Sequence, residues 1–491
     1  SATRTSVGSW NAESSSENTV ISKNNTYFAY PSSQVSADYD GNATTTTSEY
    51  NTDYGYLVSQ NATYDNDAMY KMVSYNNYVN KNGAYLPTEV VNAQKHEDDS
   101  QEHVQKTELT YDDYGQVTRS IANAGTSMAV TTENTYDEFG NVLSTVQNGK
   151  GMSPVTTMYG YDSTGRYVTK TWQIPDGEAA EYTHDLWGNV LTSTDMTNRA
   201  NPLVTKYSYD GWGDVTCEES PTGAVKTTQK SWGTTGHKRY FVVEDDGENP
   251  AVTSWYNSFG RLVESSYVGY SCTPYKNTYD YDGQGRLWLQ KQQKGRLTIT
   301  DYKSYDSRGR VVSESTNSKR TSYAYGNRTV TATVADKSYQ KTYDAWGNVK
   351  SSVDPMSRVD FTYNSSGKPC EVVTNGTTVR MEYDEAGNRT LLDDPDAGIT
   401  TSEYAADGRL LKSEDARGVV TRNTYDNQNR LTLSQVDDVT TAYEYGADGN
   451  KMLLKSQTQG DNSESYGYDD FGRVISKRRS MGTLGSYECL Y

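Results

Sequence analysis

Short runs of alternating apolar and polar residues follow one another along most of this chain. On the near side of a recurring turn signal they read Tyr207-Ser208-Tyr209, Tyr279-Asp280-Tyr281, Phe361-Thr362-Tyr363 and Tyr443-Glu444-Tyr445. On the far side they read Asn141-Val142-Leu143, Arg261-Leu262-Val263 and Arg310-Val311-Val312. Successive side chains on a strand point to opposite faces, so a period of two predicts strands on both sides of each turn. No long stretch carries an apolar stripe at helical spacing, and long helices are not expected.

The turn signal is a five-residue motif: tyrosine, aspartate, two variable residues and glycine. It stands as YDDYG at Tyr111, YDEFG at Tyr136, YDSTG at Tyr161, YDGQG at Tyr281, YDSRG at Tyr305, YDAWG at Tyr343, YDEAG at Tyr383 and YDDFG at Tyr468. Looser copies fill the gaps: HDLWG at His184, YDGWG at Tyr209, WGTTG at Trp232, YNSFG at Tyr256, YGNRT at Tyr325, YNSSG at Tyr363, YAADG at Tyr404, YDNQN at Tyr425 and YGADG at Tyr445. The 17 anchors lie 23 to 25 residues apart up to Tyr305 and 18 to 23 apart after it, a period that predicts a repeat architecture. Asp or Asn at the second position can accept bonds from the backbone that follows, and glycine at the fifth accepts the positive φ that closes a type I turn with a bulge. Asn429 replaces that glycine with the next most tolerant residue type. The structural turn residues expected on this reading are Tyr111, Asp112 and Gly115; Tyr136, Asp137 and Gly140; Tyr161, Asp162 and Gly165; Tyr209, Asp210 and Gly213; Tyr281, Asp282 and Gly285; Tyr305, Asp306 and Gly309; Tyr343, Asp344 and Gly347; Tyr383, Asp384 and Gly387; and Tyr468, Asp469 and Gly472. Valine at Gly140 or Gly347 is expected to destabilise more than valine at Gly149, which lies outside the motif.

A second turn signal falls midway through many units, at Ser220-Pro221-Thr222-Gly223, Asp354-Pro355-Met356-Ser357 and Asp415-Ala416-Arg417-Gly418, so each unit holds two strands and two turns. Composition agrees: 43 Tyr against 6 Phe, with only 11 Pro, suits half-buried strands with polar tips. The fold class is therefore all-β, antiparallel hairpins in series. Residues 107–491 form the repeat array. Residues 1–106 are expected to be irregular repeats of the same kind, with eroded anchors at Tyr39-Asp40 and Tyr64-Asp65, and with Leu86-Pro87-Thr88-Glu89-Val90-Val91 facing Val104 to Tyr111 across an acidic turn. As the alternative to irregular repeats, the first 20 residues, rich in Ser, Asn and Glu, read as a frayed end or linker.

The motif resembles the YD-repeat, or Rhs, family, known from bacterial polymorphic toxins, from the shell-forming subunits of insecticidal Tc toxin complexes and from teneurins. Glycine occupies the fifth position in 15 of the 17 anchors and aspartate the second in 11, and the resemblance covers about Thr107 to Tyr491. It implies that the hairpin strip coils into a hollow shell, often around a toxic C-terminal segment. Many bacterial members close the shell with an Asp-Pro- and Gly-rich segment that in some cuts off the toxin. Nothing like it follows Tyr468, and Tyr491 falls 23 residues on, where the next anchor is due. The chain is thus expected to be part of a larger protein, with the remainder of that polypeptide or a shell-completing protein as partner, and toxin as the possible cargo.

Other chemistry has thin support. His96 and His103 flank Glu97, Asp98 and Asp99, but their spacing fits neither a zincin helix nor a finger, and a solvated turn is expected. The carboxylates of Glu244 to Glu248 and of Asp393 to Gly398 match no twelve-residue calcium loop and read as polar turns. A catalytic carboxylate pair is needed once, whereas these aspartates recur at one turn position. No catalytic residue, metal site or cofactor is therefore assigned, and the chain does not read as an enzyme. Cys217, Cys272, Cys370 and Cys489 form no C-x-x-C pair and read as isolated buried thiols, with one disulfide among them as the alternative that spacing leaves open. A net charge of −18 argues against nucleic acid and against anionic membrane surfaces, and no run of apolar residues is long enough to insert as a helix. Two functions remain: a non-catalytic wall of a secreted toxin, its tyrosines lining the cavity, or a cell-surface adhesin whose aromatic rings stack on glycans.

Overall fold

The computed structural model describes residues 2–5, 14–23, 26–37, 41–64, 68–175, 177–233, 236–269, 272–447 and 449–491. The eroded anchor at Tyr39-Asp40, Asp65 and the centre of the WGTTG copy lie outside the described residues. Among the described residues there are 42 strands, from β1 (Ala2–Thr5) to β42 (Ser486–Leu490), and the only helical element is a single 3-10 turn at Gly482–Leu484. Each strand pairs antiparallel with the next in sequence, so the whole chain is one meandering sheet. The facing strands read near the N-terminus are β7 (Ala84–Lys95) and β8 (His103–Tyr111), paired with Glu89 opposite Glu108. β8 runs across positions 106 and 107, and the sheet has no break there. Ala2–Thr5 and Ser14–Lys23 also pair with each other, so these parts of the N-terminal segment are sheet rather than a frayed linker.

A meander has two long edges, and turns alternate between them. One edge carries the motif turns; the other carries turns such as 96–102, 149–154 and 197–202. The register slips by one residue just before most anchor tyrosines, as between Thr135 and Tyr136, and between Ser208 and Tyr209. That slip is the bulge that lets a type I turn match the twist of its strands.

The strip curls back on itself. Side chains 248 to 285 residues apart meet, from His96 with Asp344 to Asn42 with Asn327. In the contacts described here, the motif edge of the later winding lies on the opposite edge of the earlier winding. A single sheet has no second layer, and its buried apolar core is small, with Met69, Met128, Ala405, Ala93 and Val263 among its members. The accessible surface is 28905 Å², where a compact monomer of this mass exposes about 18,000 Å². The excess is what a thin, coiled wall exposes on two faces.

Candidate functional site

Each motif turn is wired in the same way. Asp112, Asp137, Asp210, Asp282, Asp306, Asp344 and Asp469 each accept, through Oδ1, the backbone N–H groups two and four residues on, at 2.8 to 3.0 Å. Asp162 takes the N–H groups of Arg166 and Tyr167, and Asp384 that of Asn388. The glycine N–H then donates to the aspartate's own carbonyl, for example 2.8 Å at Gly285 and 3.1 Å at Gly140. Gly115, Gly140, Gly165, Gly213, Gly285, Gly309, Gly347, Gly387 and Gly472 all have φ between +66° and +90°, and Asn429 has φ +62°.

The tyrosine joins one unit to the one before. Its hydroxyl donates to a backbone carbonyl of the preceding unit: Tyr111 to Pro87, Tyr136 to Val117, Tyr161 to Val142, Tyr209 to Val190, Tyr281 to Leu262, Tyr305 to Leu287, Tyr383 to Pro369 and Tyr468 to Leu454, at 2.5 to 2.9 Å. Tyr343 is held instead by its N–H to the Arg328 carbonyl at 2.8 Å. These anchor hydroxyls are therefore spent on the wall and do not line a cavity. Phenylalanine could not make this bond, which accounts for tyrosine at the anchor position.

The residue after the glycine completes the unit, and sequence reasoning missed it. At Arg286 and Arg310 the guanidinium bonds its own turn aspartate and covers the next tyrosine: Arg286 reaches Asp282 at 2.7 Å and lies 4.6 Å over Tyr305, and Arg310 reaches Asp306 at 2.8 Å and lies 4.3 Å over Tyr325. Where it is Asn, as at Asn141, it bonds Asp137 Oδ2 at 3.0 Å and the Gly165 carbonyl at 2.8 Å. The recurrence of Asn or Arg directly after the glycine was the signal that could have found it.

Bonding sets the charge states. A hydroxyl bond from Thr164 and the Tyr167 N–H lower the Asp162 carboxyl to about 2, and the Arg286 N–H and guanidinium lower Asp282. Burial raises the Tyr281 and Tyr305 phenols, outweighing the nearby Arg261 and Arg286 guanidinium groups, with Tyr279 and Asp282 adding to the rise.

The seam between windings centres on the turn at 96–102, where a solvated turn was expected. The structure corrects that reading at His96, which is fully buried, while Glu97, Asp98, Ser100, Gln101 and Glu102 stay exposed; the turn also carries the densest cross-winding contact among the described residues. His96 Nε2 donates to Asp344 Oδ2 at 2.8 Å, while Nδ1 accepts the Asp98 N–H at 3.2 Å. Ser365 Oγ accepts the His96 N–H and donates to the Gln101 carbonyl. Asp99 accepts the Ser365 N–H at 2.7 Å, and Lys350 pairs with Glu97 at 2.5 Å. The Trp346 ring meets the His96 ring edge-on at 5.1 Å, beneath the Lys71 ammonium. Burial opposes the charge on Asp344, but bonds from His96 and Asn348 outweigh it and hold the carboxyl low. The reason sequence missed this lies in distance: the partners are 248 to 269 residues away.

A second contact uses small residues. Ala406 N–H donates to the Lys150 carbonyl at 2.8 Å, and Ala405 packs at Gly151. Asn429 bonds both the N–H and the carbonyl of Ser153, and Arg409 bonds the Gly151 carbonyl at 3.1 Å. Gly149 belongs here too, since a Cβ on it would stand 2.8 Å from that of Ala406. Gly149, outside the motif and expected to cost less than Gly140 or Gly347 on substitution, thus carries a packing constraint that the motif does not reveal. The loose copies YNSSG, YAADG and YDNQN all meet the other winding, as does the strict copy YDAWG.

Among the described residues no three His, Cys, Asp or Glu side chains group to hold a metal ion. Asp246 turns its carboxylate onto the Glu248 and Asn249 N–H groups, and Asp394 onto that of Asp396. The four cysteines are unpaired; Cys272 and Cys489 are exposed, not buried as expected. A groove of about 640 Å³, lined by Tyr159, Trp172, Tyr182 and Met452 together with Glu178 and Asp195, is open to solvent.

No protein-family model matches the chain. The tRNA3(Ser)-specific nuclease WapA of Bacillus spizizenii is 23% identical over 254 residues, which is 49% of this chain and 10% of that protein. Among solved structures, the TcdB2-TccC3 crystal structure aligns with 96% of this chain and 35% of its own, at TM-score 0.61 and 10% identity. The Photorhabdus luminescens Tc holotoxin pore with a TccC3 mutation aligns with 99% and 35%, at TM-score 0.58 and 12% identity. The chain thus spans about a third of the length of these structural neighbours and a tenth of the curated relative.

Proposed function

Because the chain has the YD-repeat, or Rhs, shell fold, we propose that it is a non-catalytic wall segment of a secreted protein that encloses a toxin or other effector carried on the same larger assembly. The observation that carries this reading is the seam. A strip that only displayed binding surface would have no need to bury His96, Asp344 and Ser365 between windings; a wall that must hold its contents does. The proteins it resembles are named as Tc toxin components and as a nuclease, and in the nuclease the matched part is a tenth of the whole. We assign the effector chemistry to segments outside this chain.

Protease protection of the complete natural protein tests the reading. The non-repeat segment should resist digestion in the native protein and become sensitive when Asp344→Ala opens the seam. Equal digestion of that segment in both proteins, or a natural protein with no non-repeat segment, would sink the enclosure reading.

A further inference from the structure

Among the described residues the earlier winding leaves its motif edge bare, and its chemistry is unusual there. At the fourth motif position it carries Tyr114, Phe139, Trp187, Trp212 and Phe259, which are 86%, 67%, 87%, 92% and 78% exposed. Successive motif turns on one edge are two strands apart, about 10 Å, so Tyr114 with Phe139 and Trp187 with Trp212 form neighbouring aromatic pairs along the rim, with Thr164 and the WGTTG copy separating the pairs from each other and from Phe259. Isolated exposed aromatics need no explanation, but a row of them at one repeat position does.

The later winding shows what this position does when it is covered. There Trp346, also fourth in its motif, packs against His96 with Lys71 over its face. Gln428, in the same position, bonds the Pro175 carbonyl. Both sit on the opposite edge of the winding that precedes them in sequence. The coil therefore has a polarity, with each motif edge facing the winding that came before. By continuity with this seam, the bare rim faces a winding earlier than this one.

We infer that the rim from Tyr114 to Phe259 is the docking edge for a further hairpin winding, supplied by the polypeptide N-terminal to Ser1. The docked edge presents turn carbonyls and cationic side chains to the rings, as Lys71 does to Trp346. The inference rests on the reading of the chain as a shell wall, and the lengths of the structural neighbours, of which this chain spans about a third, leave room for such a winding.

Hydroxyl-radical footprinting with mass spectrometry tests it, on the 491-residue chain and on the complete natural protein. In the chain alone, Trp187 and Trp212 should label strongly and Trp346 weakly. In the complete protein, labelling of Trp187 and Trp212 should fall to the level of Trp346. Trp187→Ser with Trp212→Ser should leave the secondary structure of the 491-residue chain unchanged, since both rings are in solvent, and should loosen the complete protein enough to raise labelling at Phe259. Three results would overturn the inference: full labelling of both tryptophans in the complete protein, a natural protein without a preceding sheet, or protection of the rim only by added soluble glycans. An exposed rim on a protein whose non-repeat segment still resists protease would sink this inference while leaving the enclosure reading standing.

Discussion

Aspartate at the second motif position serves the turn everywhere and the seam once. Asp344 holds the Trp346 and Asn348 N–H groups with Oδ1 and meets Asn348 and His96 with Oδ2. The turn duty was legible from the repeat; the seam duty was not, because nothing local distinguishes Asp344 from Asp282. The glycines can be tested individually. Gly347 has φ +87° and nothing near its missing Cβ, whereas Gly283 also has open space but no positive φ. Gly347→Ala should cost roughly 1 to 3 kcal/mol through backbone strain alone, and Gly283→Ala almost nothing. Gly149→Val should destabilise by overpacking against Ala406. Urea midpoints measure all three, and equal values for Gly347→Ala and Gly283→Ala would show that φ is not what selects glycine.

At the scale of elements, strands and turns were legible because they follow from periods of two and of 18 to 25 residues, both local. Edge-to-edge packing was not, because it pairs turns about a dozen hairpins apart. The one trace of it in the sequence lay in the imperfect motifs. Ala405 stands where aspartate is usual and is fully buried, and Ser365, 1% exposed, replaces a free turn residue with a bond donor to Gln101. The central contact of the seam predicts a coupling. His96→Ala strands a buried carboxylate and Asp344→Ala strands a buried imidazole, so each alone should cost on the order of 1 to 3 kcal/mol. The double variant should cost less than the sum of the two, because the bond is lost only once. Asp344→Ala must be compared with Asp282→Ala, which loses the turn bonds but no seam. Additive single effects, or equal costs at Asp344 and Asp282, would show that the contact contributes nothing across the windings.

For the whole molecule, the repeated bonding pattern sets a pH window. Turn aspartates such as Asp162, Asp282 and Asp306 have carboxyls lowered in the folded chain, Asp162 to about 2 from an ordinary 3.8. Their contribution is present above the unfolded value and is lost as pH falls through the folded one, so stability should drop between pH 3.8 and about 2. Tyrosines run the other way. Burial, then nearby tyrosines, raise Tyr78 to about 12, and a bond to Glu314 followed by burial raises Tyr323 to about 12, from an ordinary 10.0. Their contribution is complete below pH 10 and lost as pH rises toward 12. Charge repulsion offers a competing account, since a chain of net charge −18 with a pI near 4.8 repels itself increasingly at high pH. Salt separates the two. In 1 M salt the screening length falls to about 3 Å, which removes long-range repulsion but spares bonds between touching groups. Urea midpoints measured from pH 2 to 12 in 1 M sodium chloride should therefore keep both limbs, with a plateau between. Loss of the alkaline limb in high salt would assign it to net charge and leave the tyrosine-to-carbonyl bonds without a measurable share in holding the wall together.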